Sequence, residues 1–173
     1  MTARTLEDKG LPRNGMCVIH GIQRNHSLSV KNYIVLCKFS AVSEPIMTIN
    51  FQLDDQDARV TPWDVAQIYP KRPVTSDEFI STNCRESLVP GDLLHLLPLA
   101  AQWTFVGCDA PVVELGNVIQ LPTDDNPNQR WVFGIIPDGK KGRELHIIKY
   151  DFPWTRNCSF IAVPKSKILM PSR

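Results

Sequence analysis

Proline sets the first limit on what this chain can fold into. Fourteen prolines run from Pro12 to Pro171, and each removes a backbone donor and resists the interior of a helix. Short elements are expected. Between the prolines lie β-branched and aromatic runs at 16–19, 33–39, 46–53, 112–115, 131–136 and 145–150. Their length and spacing predict strands of a mainly β fold, at the intervals of small barrels. In the run from Ile49 to Leu53 the alternation is strict, with Ile49, Phe51 and Leu53 on one face and Asn50 and Gln52 on the other.

The chain has 173 residues, 43% of them hydrophobic, enough for one ordinary core or two small ones. Nineteen Lys and Arg against eighteen Asp and Glu leave a formal charge of +1. No global basic field therefore draws it to nucleic acid or anionic membrane. No run approaches the roughly 18 apolar residues that read as a membrane span, and MTARTLEDKG lacks the apolar stretch of a secretory signal. A soluble, intracellular protein without membrane partners is expected. Five widely spaced cysteines, Cys17, Cys37, Cys84, Cys108 and Cys158, match neither a disulfide scaffold nor a zinc ribbon and read as reduced thiols. No metal and no cofactor are expected.

Two turns predict hairpins. One lies at 53–57, rich in aspartate; the other, at 137–142, has a proline to preset one position and glycines free to take positive φ. Thr75-Ser76-Asp77-Glu78 reads as a capping box opening a short helix, with Phe79, Ile80 and Cys84 on a common face. An internal echo organises the rest. Both halves run through an apolar strand ending in acidic residues (49–55 and 147–152), a strand entering a proline-led turn (60–64 and 160–166) and a short apolar strand closed by proline (67–70 and 167–171).

In these passages the chain resembles the Tudor branch of the SH3-like barrels. Phe51-Gln52-Leu53-Asp54-Asp55 followed by Pro62-Trp63-Asp64 carries the resemblance in the first half, and Gly134-Ile135-Ile136, Tyr150-Asp151-Phe152 and Val163-Pro164-Lys165 carry it in the second. It implies two small Tudor-like barrels in tandem, 14–72 and 88–173, joined by a linker with a short helix at 73–87, with an insertion at 92–129 in the second barrel. It also implies a non-enzymatic reader of methylated lysine on a histone tail or another methylated peptide, working in the nucleus among the proteins of a chromatin complex.

The chemistry such a reader needs is a set of aromatic faces and a carboxylate, which hold a weakly hydrated cation. Tyr150, Phe152 and Trp154 recur at strand spacing with Asp151 between them, and Trp131 opens the partner strand with Phe133 beyond it. Trp131, Tyr150, Asp151, Phe152 and Trp154 are the expected cage. Ordinary packing competes with this reading, because an alternating strand usually turns one aromatic face to the core. Trp63, Asp64 and Tyr69 mark a secondary groove, and Asp54, Asp55 and Asp57 either meet a basic peptide or cap a solvated turn.

Two alternatives stand beside the reader. Lys140, Lys141, Arg143, Lys149, Lys165 and Lys167 form a potential basic edge for DNA or RNA, or simply solvated lysines that block edge pairing. The barrels could also act as a scaffold with degenerate cages. Enzyme signatures are missing from the sequence: there is no phosphate loop, dinucleotide fingerprint or nucleophile elbow. The only Cys/His pairings that suggest themselves are Cys17 with His20 and Cys108 with His146.

Overall fold

A computed structural model describes residues 15–25, 27–49, 62–84, 87–104, 106–121, 126–140 and 142–165. In chain order the elements are β1 (Met16–Gln23), α1 (Val30–Cys37), β2 (Ala41–Val42), α2 (Glu44–Thr48), β3 (Pro62–Ile68), α3 (Ser76–Asn83) and β4 (Leu88–Pro90). There follow α4 (Leu93–Gln102), β5 (Val112–Val113), β6 (Ile119–Gln120), β7 (Arg130–Pro137), β8 (Arg143–Lys149) and β9 (Ser159–Pro164). Strand dominates, as the sequence predicts, and among the described residues no helix is long and apolar enough to cross a membrane.

All nine described strands belong to one mixed sheet with the path β1-β3-β9-β5-β7-β8-β2, β4 lying beside β9 and β6 beside β7. Most pairs are antiparallel, but β5 runs parallel to β9 and β2 parallel to β8. The expected pair of separate closed barrels is not what the described strands form. β3, from the first half, pairs with β9, from the end of the second. The stretch 92–129, expected as an insertion, supplies α4 and the central strand β5. β9 has little choice but to lie inside a sheet: Ser159 through Val163 are all buried, so both its faces must be covered.

Alternation along β9 divides the interior in two. Ile161 and Val163 face a core built with Tyr33, Ile34 and Cys37 of α1 and Leu96, Leu97 and Ala100 of α4. Phe160 and Ala162 face a second core containing Phe79 of α3, Val132, Tyr150 and Trp154. Each large side chain so buried is worth about 1.5–3 kcal/mol.

The hairpin at 137–142 forms as expected, Ile136 opposite Glu144 and Pro137 opposite Arg143. Gly139 has φ +76°, and the Asp138 carboxylate accepts from the Lys140 and Gly142 amides at 2.7 and 2.8 Å. The helix at Thr75 also forms. Its hydroxyl accepts from the Glu78 amide at 3.2 Å, although the Glu78 carboxylate turns to Arg72 instead of completing the box.

Three expectations are corrected. The run 33–39 is predicted as a strand, but 30–37 is helix: Ser29 caps it by accepting from the Asn32 amide, and Val30, Tyr33, Ile34 and Cys37 fall on one buried face at helical spacing. The run from Ile46 begins as a helix with Pro45 in its first turn, where proline is tolerated. Pro62-Trp63-Asp64 is not a turn but the start of β3, with Pro62 as first residue opposite Gln23, a position a strand allows proline. Residues 50–53 of the alternating strand, the aspartate turn at 54–57, and Lys141 and Lys167 lie outside the described residues. All five cysteines are free thiols, Cys37 and Cys158 buried.

Candidate functional site

The site begins with β7 and β8. Antiparallel pairing sets Trp131 opposite Lys149, so Arg130 lies beside the residues that leave β8, and the Tyr150 amide donates to the Arg130 carbonyl at 2.9 Å. α3 closes over them. The Ser76 hydroxyl donates to the Tyr150 carbonyl at 2.5 Å and accepts from the Trp154 indole at 2.8 Å. A short bridge between Val74 and Trp154 holds the two segments side by side.

On this framework three acceptors of positive charge converge. The Tyr150 ring has the Arg130 guanidinium 4.2 Å from its centroid. An Asp151 oxygen lies 2.6 Å from the same guanidinium and an Asp77 oxygen 3.7 Å from it. The Tyr150 hydroxyl in turn donates to Asp77 at 2.5 Å. Burial, then the neighbouring Asp77, pushes the Tyr150 pKa up to about 12, so the phenol keeps its proton. Burial works against the Arg130 charge, but the Asp151 bond and the charges of Asp151 and Asp77 together hold its pKa above the ordinary value. Both carboxylates remain open, with Asp77 69% and Asp151 59% exposed, while the Arg130 side chain is 38% exposed.

The expected cage residues are therefore only partly brought together. Tyr150, Asp151, Phe152 and Trp154 share one neighbourhood. Trp154 is 1% exposed and serves the core, with Phe160 packed edge-on at 5.5 Å. Phe152 is 45% exposed and meets the Trp154 ring at 5.3 Å. Tyr150 is itself only 4% exposed, its face covered by Arg130. Trp131 points away from this group, since Val132 beside it belongs to the Tyr150 core and alternation sends residue 131 to the opposite face. There it is half-buried, its indole donates to the Leu121 carbonyl at 3.0 Å, and Lys149 lies 6.0 Å from its centroid. Sequence reading missed Asp77 and Arg130. Asp77 was visible only as part of a helix cap, and no local pattern marks Arg130.

The secondary groove also divides. Trp63 lies at the start of β3, its ring 4.5 Å from that of His95 and under the Arg24 cation at 5.8 Å. Asp64 accepts from the Gly21 amide and lies 3.4 Å from His20. Tyr69 follows the far end of the same strand, six residues and roughly 20 Å away at strand rise.

The basic edge is not one surface. Arg143 is 5% exposed, and its guanidinium donates inward to the carbonyls of Ala100 at 2.7 Å, Cys37 at 2.9 Å, Val106 at 3.1 Å and Trp103 at 3.3 Å. Lys140 and Lys149 are exposed at opposite ends of the β7–β8 hairpin, and exposed Lys165 follows β9. The Cys/His pairs do not form either: His146 contacts Glu144 and Ser43, and the Cys108 thiol donates to the Thr104 carbonyl. Among the described residues no three His, Cys, Asp or Glu side chains gather as metal ligands.

Comparison with protein-family models, curated proteins and solved structures gives no significant match.

Proposed function

We propose that the protein is a non-enzymatic reader of a cationic peptide side chain, with methylated lysine the ligand that the Tudor resemblance implies. In the ligand-free protein Arg130 occupies the reading site. The observation that carries this is the convergence of the Tyr150 ring, Asp151 and Asp77 on a single guanidinium. An aromatic face and two carboxylates have the composition of a cation receptor. The occupant sits on a side chain that is more than one third exposed and can swing into water without unpacking the core. Phe152, exposed beside the site, would extend the apolar wall. The carboxylates favour ligands that keep an N–H to donate, so mono- and dimethyl-lysine rank above the trimethyl form. A histone tail as partner would bring with it a nuclear address and chromatin neighbours.

An internal competitor lowers apparent affinity by the fraction of molecules in which the site is free. Titration calorimetry with unmodified, mono-, di- and trimethylated lysine peptides is the test. Arg130→Ala is expected to bind the dimethyl peptide about tenfold more tightly than the wild type, a difference of ~1.4 kcal/mol. Adding Asp77→Asn and Asp151→Asn is expected to abolish the gain. Equal affinities for all peptides, or no gain on removing Arg130, would contradict the assignment.

A further inference from the structure

At the opposite end of β3 from Trp63, the start of β1 and the approaches to β5 and β9 meet the end of β3 around a cavity of about 610 Å³. Its walls are Gly15, Tyr69, Asp109, Ala110, Pro111, Arg156 and Asn157. This volume falls within the range of small-molecule sites, roughly 300–1,000 Å³. Gly15 is required where it stands. Its φ is +70°, and a Cβ there would lie 2.8 Å from the Tyr69 carbonyl oxygen, so the backbone sits tight against Tyr69.

Behind the cavity wall, Tyr69 is held by a directional set of polar groups. The Gln67 amide nitrogen donates to the Ser159 hydroxyl at 2.8 Å and to the Tyr69 hydroxyl at 2.9 Å. Ser159, fully buried, passes its own hydrogen to the Pro111 carbonyl at 3.3 Å. Both Gln67 hydrogens are thus committed. The Tyr69 oxygen accepts from Gln67 and also bonds with the Ser159 hydroxyl. A half-buried phenol thus stands on the cavity wall. Burial raises its pKa, with the Ser159 hydroxyl partly offsetting the rise, so it remains a donor at neutral pH.

Two opposite charges complete the lining. Arg156 and Asp109 are both exposed and border the same cavity, yet among the described residues neither makes an ion pair, with each other or elsewhere. The same lining includes the small apolar surfaces of Gly15, Ala110 and Pro111, with Asn157 beside them. We infer that this cavity is a binding site for a small zwitterion, an amino acid or short peptide with a free carboxylate and a free ammonium. The carboxylate is received by the Arg156 guanidinium and the Tyr69 hydroxyl, the ammonium by Asp109, and the side chain lies on the Ala110–Pro111 wall. The site is separate from the Tyr150 surface and independent of the reader assignment.

The experiment is a nitrogen-detected NMR titration of the intact chain with four probes: L-leucine, L-alanyl-L-leucine, N-acetyl-L-leucine and L-leucinamide. Saturable shifts are expected at the amides of Gly15, Ala110 and Asn157 with L-leucine or the dipeptide, and the tighter of these identifies which source of the zwitterion fits. Loss of either charge, by acetylation or amidation, is expected to weaken binding about tenfold, the fold-change of one charge-assisted contact. Arg156→Met and Asp109→Asn, both at exposed positions, are expected to do the same while the rest of the spectrum is preserved, and Tyr69→Phe to weaken binding several-fold. No saturable shift with either zwitterion overturns the inference. So does binding that survives Arg156→Met and Asp109→Asn unchanged, or equal binding of all four probes.

Discussion

Glu114 and Arg143 are ionisable groups inside the described fold, and each is held by backbone. The Glu114 carboxylate is wholly buried and accepts from the amides of Asn117 at 2.8 Å, Gly116 at 2.9 Å and Phe133 at 3.1 Å, pinning the turn between β5 and β6 onto β7. Burial raises its pKa well above the carboxylate range, against the pull of the amides and helped by the nearby charge of Asp92. The sign of the consequence follows from linkage. An acid that keeps its proton longer when folded contributes stability that is complete below its unfolded pKa of about 4 and is lost as pH rises through the folded value. Urea unfolding over a pH series is therefore expected to show the wild type losing stability upward from about pH 4, a slope that Glu114→Gln lacks. Parallel profiles for the two proteins would contradict this. Neither residue's role was legible in the sequence: Glu114 sat in an apolar run and Arg143 in a basic one, and only the surrounding carbonyls and amides give them partners.

At the scale of elements, legibility tracked locality. The hairpin at 137–142 and the helix at 76–83 are written in adjacent residues, a proline, glycines and a capping threonine, and both form. The run 33–39 defeated the same reasoning because a short, largely apolar stretch satisfies both periods. What decided it was Ser29, four residues upstream of the run, together with the packing of Tyr33, Ile34 and Cys37 in the α4 core. α3 matters beyond its own stability, since it carries Ser76 and Asp77 to the Tyr150 segment. Thr75→Ala removes the hydroxyl that caps it and is expected to cost about 1 kcal/mol, read as a lower urea midpoint with the m-value unchanged. A cost near zero would mean that the cap contributes nothing beyond packing.

Over the whole molecule, the repeat-like echo suggested two barrels because each half lists strands in a similar order. Pairing between distant segments overrides that order. β9 takes β3 from the first half on one edge and β4 and β5 on the other, and such partners leave no mark in a local reading. The candidate site has the same origin: α3, the start of β7 and the chain after β8 each contribute one part, and Tyr150 and Asp77 are 73 positions apart. The aromatic residues were visible in advance, but their burial was not, since Trp154 and Tyr150 turn inward only because α3 closes over them. The central claim is that the Tyr150 face holds a replaceable cation. The most direct measurement follows the Arg130 guanidinium and Tyr150 ring NMR signals while a dimethyl-lysine peptide is added to the wild-type chain. Displacement requires both sets of signals to shift together and to saturate at one peptide concentration, with Arg130 taking on the character of a solvated side chain. An Arg130 guanidinium that stays unchanged while peptide is bound elsewhere, or at no site, would contradict it.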